Sequence, residues 1–187
     1  MRFLHVLTLL AAMMMSSQSF ALIEGQLLIG QRSASTGDGA GGTIDYSGME
    51  NKISVYLDPI PLIPVGFGLT MASIAFDDTD AVKDIKGTET SLDLTAWLPL
   101  GIAGFKPYAK IAYIVSGEYS FTDIASGISS DSKTSGTKFA AGVKYSPLPL
   151  VGFMLEVEKS SVEIEPDTGT SSTLDGLGVL LGASVGI

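Results

Sequence analysis

Apolar and polar residues alternate with a period of two through one segment after another of this chain. That alternation restricts each segment to a strand with two unlike faces. In Ser91 to Leu98 the even positions are apolar and the odd ones mostly polar. Phe139, Ala141, Val143 and Tyr145 share one face, and Lys138 and Lys144 the other. Phe153, Leu155 and Val157 oppose Glu156 and Glu158. Near the C-terminus Leu177, Val179, Leu181, Ala183, Val185 and Ile187 oppose Gly176, Gly178, Gly182, Ser184 and Gly186, with Leu180 as the exception. Eight such segments are predicted, at 22–34, 43–58, 65–77, 88–99, 106–121, 134–146, 151–164 and 173–187. Each is long enough to cross a hydrocarbon layer when tilted, which takes about 9–11 residues.

The connections sort into two kinds. Asp58 to Pro64, Pro99 to Phe105 and Ser146 to Leu150 are short, apolar and nearly uncharged. Ser35 to Gly42, Asp78 to Gly87, Thr122 to Lys133 and Glu165 to Ser172 are longer and rich in Asp, Ser, Thr and Gly. Membrane barrels have short periplasmic turns and longer outward loops. The strict alternation of the two kinds therefore predicts an eight-stranded antiparallel up-and-down transmembrane β-barrel over 22–187, with its mature N-terminus in the periplasm.

Arg2, the apolar run Phe3 to Met15 and the ending Ser19-Phe20-Ala21 have the layout of a secretory signal. Residues 1–21 are expected to be removed on export. The apolar run is too short to span a bilayer, which needs about 20 residues. There is no Cys, so neither a disulfide framework nor an acylated lipoprotein anchor is available. Stability must then come from a large core or from closure in a membrane, where only helices and closed barrels satisfy every backbone group. The formal net charge of −9 argues against nucleic acid as a partner. The positive mean hydropathy of 0.37 suits an apolar exterior.

If the apolar parity faces lipid, Leu92, Leu94, Phe139, Val143, Leu155 and Leu181 lie against hydrocarbon. The lumen then receives the acids Glu24, Glu50, Asp93, Glu118, Glu156, Glu158 and Asp175 and the bases Arg32, Lys52, Lys110, Lys138 and Lys144. Buried charges persist when paired and hydrogen-bonded. The interior of an eight-stranded barrel is only wide enough for side chains to fill it. A structural ionic plug is therefore preferred over an ion path. Phe67, Phe153 and Tyr145 at the corner ends, and Tyr113, Tyr119 and Phe121 nearer the third outward loop, are candidate interfacial girdle residues. Trp97 falls on the lumen parity.

The residues offer little for catalysis or metal binding. His5, the only histidine, lies in the expected signal, and a nucleophilic Ser normally relies on such a base. Without His or Cys ligands zinc is not expected. Glu156 and Glu158 could form a carboxylate pair, but their lumen position favours pairing with Lys138 or Lys144. Asp77-Asp78-Thr79-Asp80 with Asp84 lacks the spacing of a calcium loop and reads as a solvated acidic loop. Gly37 to Gly42 has no Lys and no following helix, which removes the phosphate-loop reading. No cofactor is expected.

In strand count, connection asymmetry and lumen charge, the segment 22–187 resembles the small outer-membrane β-barrel families typified by outer-membrane proteins A and X. One departure is the ending Val185-Gly186-Ile187, where many of those barrels end in an aromatic residue. The resemblance implies a non-enzymatic integral protein of the bacterial outer membrane, with a structural or surface-interaction role through its outward loops. Its expected partners are outer-membrane lipids and lipopolysaccharide, and its expected state is a monomer. Edge-strand adhesion through Tyr113 to Phe121 is a further expectation from the resembled families. Two alternatives stay open: a soluble periplasmic lipocalin-like barrel binding an apolar ligand, and a narrow small-solute pore.

Overall fold

The computed structural model describes residues 23–37, 42–57, 64–78, 83–98, 104–123, 129–148, 150–166 and 171–186. The expected signal at 1–21 and most of the Pro-rich corners lie outside the described residues. Eight strands follow one another round a closed barrel: β1 (Ile23–Gly37), β2 (Thr43–Leu57), β3 (Val65–Asp78), β4 (Lys83–Trp97), β5 (Phe105–Asp123), β6 (Ser129–Leu148), β7 (Val151–Pro166) and β8 (Ser172–Gly186). Each pairs antiparallel with its chain neighbours, and β8 closes onto β1 from Glu24↔Gly186 to Ser35↔Asp175. Closure leaves the barrel wall without an open sheet edge.

Four backbone bonds of 2.8 Å finish the corner end: Trp97 to the carbonyl of Pro64, Leu98 to Pro107, Ser146 to Gly104 and Gly186 to Leu150. Gly104 enters β5 with φ 78°, a left-handed conformation that a side chain would strain.

The strands run further toward the loop end than the alternation pattern predicts. β4 begins at Lys83, β5 continues to Asp123, β6 begins at Ser129 and β7 reaches Pro166. These stretches read as polar loops because their outward residues are Ser, Thr, Lys and Glu. The alternation persists there, with Ile85 buried beside exposed Lys86 in β4 and Ser132 buried beside exposed Asp131 and Lys133 in β6.

Two ladder irregularities coincide. The β4–β5 register shifts between Thr90 and Ser91, which pair with Ser116 and Ile114. The β5–β6 register shifts between Ile114↔Gly136 and Glu118↔Lys133. Three β5 residues (115–117) thus face two β6 residues (134 and 135), a bulge that adds one residue to β5. An odd insertion reverses the parity of everything beyond it. Glu118, expected in the lumen, is therefore exposed on the outside, and Tyr119, expected in a girdle, is buried inside.

Candidate functional site

The described interior is filled in three levels. At the corner end Lys144 pairs with Glu24, which also accepts from Gln26 Nε2 at 3.0 Å. Trp97 is half-buried there, its ring 5.1 Å from that of Tyr108 and 5.7 Å from Lys144 Nζ. Just above, Asp93 accepts from Tyr56 Oη at 2.6 Å, from Ser91 Oγ at 2.8 Å and from the hydroxyl of Thr70.

The middle level is an ionic belt. Glu156 accepts from Lys110 at 2.8 Å, from Lys52 at 3.3 Å and from Tyr108 Oη at 2.9 Å. Glu158 pairs with Lys52 and lies 3.3 Å from Lys138. Lys138 also reaches Glu50 at 3.2 Å and pairs with Glu89. Arg32 completes the belt, 3.5 Å from Glu89 and 3.6 Å from Glu50, and donates to Ser160 Oγ at 2.8 Å. Arg32, Lys52, Lys110 and Lys138 thus stand against Glu50, Glu89, Glu156 and Glu158, so the belt is formally neutral. Charges this deeply buried are retained only with such compensation, and removing one partner typically costs about 3–5 kcal/mol.

The third level, toward the loops, is apolar. Ala34, Tyr46, Ile74, Phe76, Ile85, Ile114, Val162, Ile164 and Leu174 form one buried cluster with Tyr119, and Phe121 packs against it. The Arg32 guanidinium lies 5.9 Å from the centroid of the Phe76 ring and joins this cluster to the belt.

Three inward tyrosines follow one rule. Tyr56, Tyr108 and Tyr119 stand directly across the ladder from Gly68, Gly142 and Gly87. A Cβ on those glycines would lie 2.3, 2.5 and 2.7 Å from the facing ring. Each ring therefore lies flat over bare backbone, and its hydroxyl reaches a carboxylate: Asp93, Glu156 and Glu89 respectively. None of these tyrosines was expected at the site. Tyr56 and Tyr108 share the parity of Lys52 and Lys110, which was the available signal. Tyr119 was hidden by the bulge.

Of the expected lumen residues, Glu24, Arg32, Glu50, Lys52, Asp93, Lys110, Lys138, Lys144, Glu156 and Glu158 are buried inside. Glu118 and Asp175 are not; both are exposed on the outer face. Asp175 shares the parity of Leu177 and Val179, so its charge points outward with them. Glu89, which was not expected, takes the place these two leave; it sits at the parity of Asp93 near the start of the predicted segment. Phe121 is another correction, since it turns inward against the apolar cluster.

The outer face changes character at the same height. Toward the corner end it is apolar, with Leu92, Leu94, Phe139, Leu155, Leu181, Phe67, Phe153 and Tyr145 all exposed and Val143 half-buried on the same parity. Toward the loop end Ser33, Asp45, Ser47, Thr88, Glu118, Lys133, Lys159, Ser161, Glu163, Thr173 and Asp175 are exposed instead. Along most strands a polar stretch outside accompanies the apolar cluster inside; β6 contributes none of that cluster and buries Ser132 and Thr134 there instead. Tyr113 to Phe121, expected as an adhesive edge, lie on a strand already paired on both sides, with β4 and β6.

No helix among the described residues is long and apolar enough to cross a membrane, and no group of His, Cys, Asp and Glu among them could hold a metal ion.

A family model described as outer membrane protein beta-barrel domain matches residues 3–185. Among solved structures, the chain is similar to Neisserial surface protein A, at 17% identity and a TM-score of 0.69, over 88% of this chain and 97% of that one. It is also similar to the outer membrane protein OprG from Pseudomonas aeruginosa, at 16% identity and a TM-score of 0.52, over 91% of this chain and 98% of that one. No curated protein matches the sequence.

Proposed function

The chain belongs to the outer membrane protein β-barrel domain family and resides in the bacterial outer membrane; from that premise we propose that it is a closed, non-enzymatic barrel serving as a rigid mount for surface interaction. Residues 1–21 are the export signal in this reading, and the loop end faces away from the cell. Leu92, Leu94, Phe139, Val143, Leu155 and Leu181 lie against hydrocarbon. The ionic belt is structural and joins the strands through the middle of the lumen. The polar outer stretch stands above the hydrocarbon, among the headgroups of lipopolysaccharide. The working unit is a monomer.

The observation that carries this reading is the filling of the lumen. Belt and apolar cluster follow each other along the axis, and large side chains of both, Arg32, Lys52, Tyr119 and Phe76, are fully buried. A pore needs a continuous wet path, and an apolar plug of this kind speaks against one. A soluble carrier would need its apolar parity inward along the whole strand, whereas here it is inward only toward the loops. Reconstitution into a planar bilayer tests the proposal: the wild-type protein is expected to give no discrete conductance steps. Steps that disappear when Lys110 and Lys138 are neutralised would replace it with the pore reading.

A further inference from the structure

β1 and β8 are the one pair of neighbouring strands that no hairpin connection joins, so the wall closes there without the help of a short loop. We propose that this seam is held shut by an internal latch, made of polar side chains on β1 and β2 that bond to β6 and β7 by reaching over β8.

The bonds themselves are the first reason. Arg32 of β1 donates to Ser160 Oγ of β7 at 2.8 Å, and Lys144 of β6 pairs with Glu24 of β1. Lys52 of β2 lies 3.3 Å from Glu156 of β7 and also pairs with Glu158. Lys138 of β6 lies 3.2 Å from Glu50 of β2. Every one of these bonds passes β8 by. β8 supplies no charge to the belt, and its inward Ser184 hydroxyl has no hydrogen-bond partner.

The inner face of β8 is the second reason. At three inward rungs a glycine of β8 stands between a residue of β7 and one of β1: Ser160–Gly176–Ala34, Glu158–Gly178–Arg32 and Met154–Gly182–Leu28. Bare backbone leaves room for side chains of the flanking strands to cross. At Gly176 that room is used up: a Cβ there would lie 2.5 Å from Ser160 Oγ and 3.0 Å from Arg32 Nε, against both partners of their bond. Gly152 of β7 clears the way for Lys144 in the same manner, since a Cβ there would lie 2.6 Å from Lys144 Cε. Gly178 is roomier, and a Cβ there would meet nothing closer than 3.4 Å.

Parting β1 from β8 would break these bonds in a buried interior, where each lost partner leaves a polar group unpaired. It would also bare backbone groups to hydrocarbon. Other inward bonds, such as that of Tyr119 Oη of β5 to Glu89 of β4, join strands that are already consecutive in the chain. The latch bonds alone reinforce the joint that the chain does not.

The test uses the full mature barrel in lipid nanodiscs, with amide hydrogen exchange read strand by strand. Ser160→Ala removes the acceptor of Arg32, and Gly176→Ala pushes the two apart without altering a charge. Each is expected to speed exchange in β1 and β8 about ten-fold, the scale of one lost hydrogen bond to a charged group, while β3 to β5 keep their rates. Gly178→Ala, on the next inward rung, should leave the seam as it is. Tyr119→Phe should speed exchange in β4 and β5 and not at the seam. Unchanged exchange in Ser160→Ala overturns the proposal. So does an acceleration spread evenly over all strands, which would make these bonds ordinary contacts of the belt. A seam loosened as much by Gly178→Ala or Tyr119→Phe as by Ser160→Ala overturns it too. Should Gly176→Ala fail to fold, Ser160→Ala decides alone.

Discussion

The two halves of this barrel are built from the same strands with opposite sense. In the corner half the outer face is apolar and the inner face carries the neutral belt. In the loop half the outer face carries Lys, Glu, Ser and Thr, and the inner face carries Phe76, Ile114, Val162 and their neighbours. A period of two says only that a strand has two unlike faces. Which face is apolar depends on what lies outside: against hydrocarbon the outer face must be apolar, and against water it must be polar. One strand can satisfy both because each half is set by its own surroundings. β7 does so without changing register: Leu155 and Val157 give way to Lys159 and Glu163 outside, while Glu156 and Glu158 give way to Val162 and Ile164 inside.

The largest expected effects come from opening either interior. Glu156→Ala removes the carboxylate shared by Lys110, Lys52 and Tyr108 and leaves buried cations unbalanced. It should lower stability by about 3–5 kcal/mol, read by urea unfolding in lipid vesicles. Phe76→Ala in the apolar cluster should cost a similar ~3–5 kcal/mol through the cavity it leaves. If the two halves are as distinct as described, the Phe76 variant stays neutral inside and its cost is relieved by a Leu replacement, whereas Glu156→Leu is not relieved. An outer-face pair sharpens the contrast. Leu181→Arg, midway along the apolar outer run of β8, should lose about 2–4 kcal/mol of stability in the membrane, while Ser161→Arg on the loop half should lose about 0–1. Equal costs at the two positions would erase the boundary between the halves. Tyr119→Phe should cost about 1–3 kcal/mol, because one of Glu89's acceptor sites loses its donor in a dry interior. Asp175→Asn, on the exposed outer face, should stay within about 0.5 kcal/mol, and a larger loss would return that carboxylate to the lumen.

Much of this was legible in the alternation. The number of strands, their antiparallel order and the parity of Lys138, Lys144, Glu156 and Glu158 follow from a pattern that hydrocarbon enforces strictly. The rest failed for identifiable reasons. Asp175 stands on the parity of Leu177 and Val179, so it points outward with them, and a charge is tolerated there because water and not lipid lies outside at that height. Glu118 and Tyr119 exchanged faces because a single inserted residue leaves no mark in composition; Val115, Ser116 and Gly117 look like any strand. The apolar cluster was invisible for a related reason, since its residues alternate with Ser, Thr and Glu in stretches rich in loop-forming types. The inward tyrosines needed a pairwise view: Tyr56 opposite Gly68 is informative only once the two strands are known to be neighbours.

The near-cancellation inside has an effect well beyond the barrel wall. Among the described residues, Arg32 and the four inward lysines nearly balance six inward carboxylates, so the interior accounts for only one unit of the net charge of −9. An approaching molecule therefore meets an acidic long-range field that reaches about 8 Å at physiological ionic strength. Cationic peptides and divalent metal ions are drawn in by that field, while acidic macromolecules are slowed before any loop can touch them.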